Sequence, residues 1–271
     1  MLVDLLMSIM VRLKVIKDVY YLKSIILILC QRIIEMTFKR ELELLVDSNG
    51  EINQINFLFN KIINGGFTGR DQVAVQAHIQ ELAEEGIPGP EVTPVFFSLT
   101  CNTLVCKDLI QVNGPKTSGE VEYVMCLKGD KTYIGIGSDH SDRALEQSSM
   151  GKAKEICPNI ISETVWDYDD IKDHWNELEI SSVVKNKMGD EYTLYQKDTL
   201  ASIMHPDELK SVIMEKLKNP DLDKTIIYSG TIPVVANSPI YGELFGCKLY
   251  DPILDKTLRC EYEIQSVHSI F

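Results

Sequence analysis

Polar and apolar positions recur along this chain at two spacings. Residues 38–46 alternate apolar and charged side chains, the period-two pattern of a strand with one wet face. Further strand-like pieces follow at 95–99, 109–112, 120–127 and 132–136, and Gly129-Asp130 reads as a hairpin turn between the last two. Short strands are also expected at 225–228 and 231–235, interrupted by Ser229-Gly230. Residues 64–70 form a glycine-rich loop, and a helix is expected after it. Thr68 and Asp71 have the spacing of a capping box, Gly86 is a natural stop, and Pro88, Pro90 and Pro94 then break the chain. Residues 168–178 and 206–217 read as helices. There is no internal repeat and no low-complexity linker, so residues 36–271 read as a single mixed domain.

The first 35 residues differ, being rich in Leu, Ile, Met and Val with Arg12, Lys14, Lys17, Lys23 and Arg32 spaced among them. Their longest apolar run, residues 25–30, is far short of the ~20 residues a spanning helix needs. No small-residue cleavage site follows it. Three readings stay open: an amphipathic helix at a membrane or partner surface, a helix packed on the body, or an extension upstream of the true start. Met36-Thr37-Phe38 opens a more ordinary soluble pattern, which favours the third.

Of the 271 residues, 45% are hydrophobic and 25% charged, a globular composition. The formal net charge of -13 argues against a nucleic-acid groove, which needs clustered cations to neutralise phosphates. It leaves room for a local cationic pocket that holds a small anion. Seven scattered cysteines without a C-x-x-C suit a reducing cytosol better than a disulfide framework or a zinc ribbon. A cytoplasmic protein without nucleic-acid partners is therefore expected, and without membrane partners outside residues 1–35, whose role stays open.

Two constellations carry chemistry. Glu120 and Glu122 lie two apart in an apolar, β-prone stretch, so both carboxylates share one face. Like charges so placed repel and resist desolvation unless a cation sits between them. A hard divalent ion with oxygen ligands is the simplest occupant, with Asp139 as a third ligand; a solvent-facing strand edge with two stray acids is the bland alternative. On the helix after the glycine-rich loop, His78 and Glu81 are three apart and share a face. A carboxylate beside an imidazole makes a general base for activating water, although an exposed His–Glu pair on an amphipathic helix has the same spacing. Outside these groups, His140 is open between a supporting and an outward-facing role. His174 and His205 read as structural, and Cys157 reads as a buried, inert thiol.

The order of these pieces resembles the fumarylacetoacetate hydrolase superfamily. Residues 69–97, with His78 and Glu81, are similar to its "G-x-N-Y-x-x-H-x-x-E" helix, proline-rich turn and "P-x-x-F-x-K" strand. Glu120-Val121-Glu122 resembles its "E-x-E-L-x-V" strand. Residues 137–146 resemble "G-x-x-x-N-D-x-S-x-R-D-x-Q", Lys154 with Pro158 resembles "K-S … P", and residues 229–233 resemble "T-G-T-P". Within the superfamily the chain looks closest to a bacterial branch of unassigned reaction. The departures are a short interval from Glu122 to Asp139, Ser138 for Asn, Glu146 for Gln, Gln72 at the helix entry and Leu99 for Lys.

The resemblance implies an α+β fold, a mixed β-sandwich roll with flanking helices and the active site at its mouth, commonly assembled as a homodimer. It implies Glu120, Glu122 and Asp139 as ligands of Mg2+ or Mn2+, and Arg143 gripping a substrate carboxylate. It also implies Lys154 (with Lys152 as competitor) offsetting negative charge, and Thr231 hydrogen-bonding a substrate oxygen beside Gly230. The activity implied is that of a metal-dependent enzyme acting on an α-keto acid or related small carboxylic acid through a metal-stabilised enolate. Carbon–carbon bond hydrolysis of an acylpyruvate type is the first expectation; decarboxylation or sugar-acid dehydration on the same site is the alternative. A non-catalytic small-acid-binding protein is the rival from another class.

Overall fold

The alternation after residue 38 folds as one arm of a hairpin. In the computed structural model, which describes residues 40–84, 89–235 and 238–267, β1 (Arg40–Ser48) pairs antiparallel with β2 (Glu51–Phe59). The turn is Asn49-Gly50, both at positive φ (50° and 82°), the dipeptide that a tight hairpin of this hand demands. The expectations for residues 1–35 and for the helix stop at Gly86 lie outside the described residues.

The remaining strands in chain order are β3 (Lys61–Gly66), β4 (Val95–Leu99), β5 (Leu104–Val105), β6 (Leu109–Val112), β7 (Thr117–Ser118), β8 (Val121–Lys128), β9 (Lys131–Asp139), β10 (Ser141–Asp142), β11 (Asn159–Ile161), β12 (Thr164–Asp167), β13 (Glu179–Lys185), β14 (Thr193–Thr199), β15 (Thr225–Tyr228), β16 (Leu244–Asp251) and β17 (Lys256–Ser266). The helices are α1 (Gln72–Glu84), α2 (Arg143–Glu146), α3 (Met150–Glu155), α4 (Tyr168–Ile171) and α5 (Pro206–Lys216). The large sheet runs β2-β1-β12-β9-β8-β15-β3-β4, with β11 bridging β9 to β5; a second sheet runs β14-β13-β16-β17-β6. Pairing is mostly antiparallel, with parallel contacts at β1–β12, β3–β15, β5–β11 and β6–β17. This is the expected mixed α+β roll with flanking helices.

Strand β8 sits between two apolar layers, which is why its sequence reads as a nearly continuous apolar run. Val121, Tyr123, Met125 and Leu127 join the cluster that includes Phe245, Leu249 and Tyr262 of the second sheet and Leu209 and Ile213 of α5. Val124 and Cys126 point the other way, into a cluster with Leu44, Phe57, Phe59, Ile62, Leu99 and Tyr228. Residues from β2 and from β4, at opposite ends of the large sheet, share that second cluster, so the sheet curls around it. Glu122 has the parity of Val124 and therefore lies on the inner face of the curl.

Four local expectations change. Residues 64–66 are not loop but the end of β3. The helix α1 is capped by Asp71, whose Oδ1 accepts from the Val73 and Ala74 N–H groups at 2.9 and 3.1 Å. Thr68 instead donates to the Ser229 carbonyl at 2.6 Å. Residues 168–178 split into α4 and a 3-10 turn, kinked at His174. Residues 231–235 form no strand, because Val234 makes only an isolated bridge to Gln196.

Candidate metal centre

Register brings the carboxylates together. Strand β8 pairs with β9 so that Glu122 opposes Gly137, and Asp139, two residues on, falls on the same face. Glu120 precedes β8, and its carbonyl accepts from the Asp139 N–H at 3.0 Å, which locks the two ends together. The ligand oxygens of Glu120, Glu122 and Asp139 lie within 4.8 Å of one another, and no other such group of three occurs among the described residues. Glu122 and Asp139 are wholly buried, whereas Glu120 keeps 21% of its side chain exposed at the edge.

Two cations face these acids. Arg143 starts α2, whose N-cap Asp142 accepts from the Ala144 and Leu145 N–H groups. Its Nη1 donates to Glu120 Oε1 at 3.0 Å and to Glu146 Oε1 at 2.8 Å, while Nε donates to Ser118 Oγ at 2.7 Å. Lys154, on α3, donates to Asp139 Oδ2 and, at 3.4 Å, to Glu120 Oε2. Its side chain is only 5% exposed, and its ammonium lies 5.8 Å from the centre of the Phe97 ring. The next residue, Glu155, ties α3 to the end of β4 through the Thr100 N–H and hydroxyl, at 2.9 and 2.6 Å. Lys152 is exposed, so the lysine that reaches the acids is Lys154.

The charges do not balance. Among the described residues, Glu120, Glu122, Asp139 and Glu146 face Arg143 and Lys154, so with every group ionised two negative charges would stand uncompensated in a buried setting. Burial pushes the Glu120 carboxyl up, but Arg143 and Lys154 outweigh it and hold it at about 2. Glu122 goes the other way: burial, then the neighbouring Asp139 charge, lift it well above the ordinary range against the pull of Lys154 and the Gly230 N–H. Burial also raises Glu146 against the opposing charge of Arg143. Glu122 Oε2 accepts from the Gly230 N–H at 2.7 Å, and Oε1 is buried without a partner among the described residues. A carboxylate oxygen left bare beside two other carboxylates, with two charges uncompensated, is what a divalent cation with oxygen ligands would complete. The residues present therefore fit the expected ion.

The side of β9 away from the acids carries a second network. Ser138 Oγ accepts from the Glu120 N–H at 3.2 Å and meets Tyr262 Oη at 2.8 Å, and that hydroxyl reaches His140 Nδ1 at 3.0 Å. Burial, then Arg143, lower the His140 imidazole to about 3, so it is neutral. Thr231 Oγ1 donates to the Val121 carbonyl at 2.9 Å and accepts from Gln196 Nε2 at 2.7 Å. Gln196 is fully buried; it also donates to the Ile232 carbonyl and accepts from the Val121 N–H and the Ser182 hydroxyl, so β8 is stitched to the second sheet. Gly230 has φ +87°, and a Cβ there would collide with Thr68 Oγ1.

His78 and Glu81 lie on α1, three positions apart, with side chains outside the described residues. His205 caps α5, and His174 meets Asp251 Oδ2 at 2.8 Å, both structural tasks. Burial pushes the Cys157 thiol up to about 12, far from nucleophile territory. Sequence reasoning missed Ser118, Gln196 and Tyr262, and a buried amide pair in which Asn159 Nδ2 donates to Asn64 Oδ1 at 2.9 Å. Only strand pairing brings these distant residues to the acids, so no local motif announces them.

A family model described as "Protein of unknown function (DUF2848)" matches residues 65–262. No curated protein matches the chain. Among solved structures, the chain is similar to Cg1458, with TM-score 0.57 and 16% identity over 80% of each chain. It is similar to 2-keto-3-deoxy-D-arabinonate dehydratase complexed with magnesium and 2,5-dioxopentanoate, with TM-score 0.55 and 16% identity over 80% of this chain and 85% of that one. A third similarity is to the fumarylacetoacetate hydrolase EaFAH from psychrophilic Exiguobacterium antarcticum, with TM-score 0.52 and 13% identity over 76% of this chain and 75% of that one. The fold is the fumarylacetoacetate-hydrolase-like α+β fold that the ordered motifs led us to expect.

Proposed function

We propose that this chain, which belongs to the family described as "Protein of unknown function (DUF2848)", is a divalent-metal-dependent enzyme acting on a 2-oxo acid or a related small carboxylic acid. The observation that carries the reading is the bare, buried Glu122 oxygen set between Glu120 and Asp139 with two negative charges uncompensated. Glu120, Glu122 and Asp139 would hold the ion, Mg2+ or Mn2+. The ion supplies Lewis-acid stabilisation of negative charge on substrate oxygens. A magnesium-bound relative of the same fold carrying a small dicarbonyl ligand supports the same reading.

The chain's own residues divide the remaining work. Gly230 fixes the Glu122 carboxylate through its N–H. Lys154 would turn from Asp139 toward the substrate and offset charge developing on its oxygens. Arg143, held planar between Glu120, Glu146 and Ser118, would present its outer edge to a substrate carboxylate. Thr231 and Gly230 would line the substrate's far side. His78 and Glu81 would activate water, which makes carbon–carbon bond hydrolysis the first reaction to test; decarboxylation and dehydration need no such water nucleophile.

The test is calorimetric titration of Mg2+ and Mn2+, with and without oxalate, into the native chain and Glu122→Ala, followed by product analysis with an acylpyruvate, oxaloacetate and a 2-keto-3-deoxy sugar acid. Metal-dependent oxalate binding that Glu122→Ala abolishes supports the reading. Equal binding by both proteins overturns it.

A further inference from the structure

The amide pair Asn64–Asn159 is unexplained by anything above. Both side chains are wholly buried. One hydrogen bond joins them, and the amide nitrogen of Asn64 and the carbonyl oxygen of Asn159 have no partner among the described residues. Exchanging oxygen and nitrogen in both amides only swaps which residue carries which: the pair always offers one free amide NH2 group and one free C=O acceptor. Two unmet polar groups side by side are costly in a core unless something completes them.

Register tells where the pair points. Asn159 directly opposes Asp139 across β11 and β9, so the two side chains leave the sheet on the same face as immediate neighbours. Asn64, on β3, opposes Phe97, whose ring lies beneath the Lys154 ammonium. Asn64 is also in register with Tyr228, and Tyr228 with Val124, the residue that shares the face of Glu122. Asn159, beside Asp139 on β11, and Asn64, two strands beyond Glu122 on β3, thus meet across the curl of the sheet on its carboxylate face.

We infer that Asn64 and Asn159 are specificity residues: they select a substrate that carries a neutral group able both to donate and to accept, a hydroxyl or a primary carboxamide, next to its 2-oxo acid end. An alkyl group would leave both amide functions unmet. A second carboxylate would satisfy the donor and repel the acceptor, beside carboxylates that already outnumber the cations facing them. A hydroxyl or carboxamide completes both. This rests on the metal-dependent 2-oxo acid reading above and narrows it to hydroxylated or amidated members of the class.

The test is calorimetry on the full chain with saturating Mn2+, titrating pyruvate, hydroxypyruvate and oxaloacetate. The native chain should bind hydroxypyruvate at least roughly tenfold more tightly than pyruvate or oxaloacetate. Asn159→Leu and, separately, Asn64→Leu should bring the hydroxypyruvate-to-pyruvate ratio close to one. The native ratio needs no variant, so a misfolded variant does not shield the inference. Pyruvate binding without discrimination, or a preference for oxaloacetate, overturns the inference and leaves the metal reading standing. Absence of binding by all three acids with Mn2+ present overturns both.

Discussion

Glu122 is held by Gly230 through a single backbone hydrogen bond of 2.7 Å, and the negative charges of Asp139 and Glu120 beside its carboxylate oppose the pull of Lys154. On the proposed reading, a ligand residue is thereby prepared at a cost in stability, which a bound cation would offset.

Glu122→Gln should expose that cost. The amide keeps the acceptor for Gly230 and removes the buried charge. The metal-free variant should be more stable than the native chain near neutral pH, as a carboxyl lifted well above its unfolded value requires. The stabilisation that Mg2+ or Mn2+ gives the native chain should vanish in it. Urea unfolding with and without metal measures both, and a variant less stable than the native metal-free chain would contradict the assignment.

Gly230→Ala should damage the site through the backbone. The residue sits at φ +87° with Thr68 Oγ1 where a Cβ would go. Strain of about 1–3 kcal/mol is expected, together with weaker metal binding as the N–H leaves Glu122. Thermal unfolding and metal titration of the same sample check whether the two losses travel together.

Lys154 acts as an internal counter-cation while no metal is present. Lys154→Met should bind Mn2+ more tightly, by roughly tenfold, because no ammonium competes for Asp139 and Glu120. Turnover should nonetheless fall by about a hundredfold or more if the ammonium offsets charge on the substrate. Weaker metal binding in the variant would contradict this.

His78→Ala discriminates between reactions. Loss of turnover by about a hundredfold or more on an acylpyruvate, with oxalate binding intact, is expected if His78 and Glu81 activate water. Unchanged turnover on a substrate that only decarboxylates would assign the site to that chemistry instead. Steady-state kinetics on both substrates provides the comparison.

His140 sets an acid limit. Its folded pKa of about 3 lies below the ordinary 6.5, so the unfolded chain takes up the proton first. The stability involved is complete above 6.5 and declines as pH falls from there toward 3, by about 1.4 kcal/mol per unit. Urea unfolding near neutral pH and near pH ~5 should show a loss of about 2 kcal/mol that His140→Gln removes. A parallel loss in both proteins would rule out His140 as its source.

The acids were legible because strand parity is local. Glu120 and Glu122 share a face wherever the stretch is β, and Asp139 follows from one hairpin turn at Gly129-Asp130. Strands 95–99, 109–112 and 225–228 were equally plain from their apolar runs. The second sheet was not, since β13, β14, β16 and β17 mix charged and apolar residues without a sharp turn signal. The capping role assigned to Thr68 failed because a tertiary partner, the Ser229 carbonyl, claims its hydroxyl. Gln196, Tyr262, Asn64 and Asn159 lay beyond reach for the same reason: their partners are 14–124 residues away in the chain, joined only by pairing.

The stitching of β8 to the second sheet by Gln196 has a kinetic consequence. The carboxylate wall is clamped at the Val121 N–H, at the Thr231 hydroxyl and at the Ile232 carbonyl, so opening it would break all three bonds. The occupant that must leave is an ammonium on a flexible four-carbon stem, from a helix that is itself tied down at Glu155. Cation entry is then an exchange of one positive charge for another by rotation of a single side chain. It requires no hinge, and its rate should follow the strength of the Lys154–Asp139 ion pair rather than any movement of the fold.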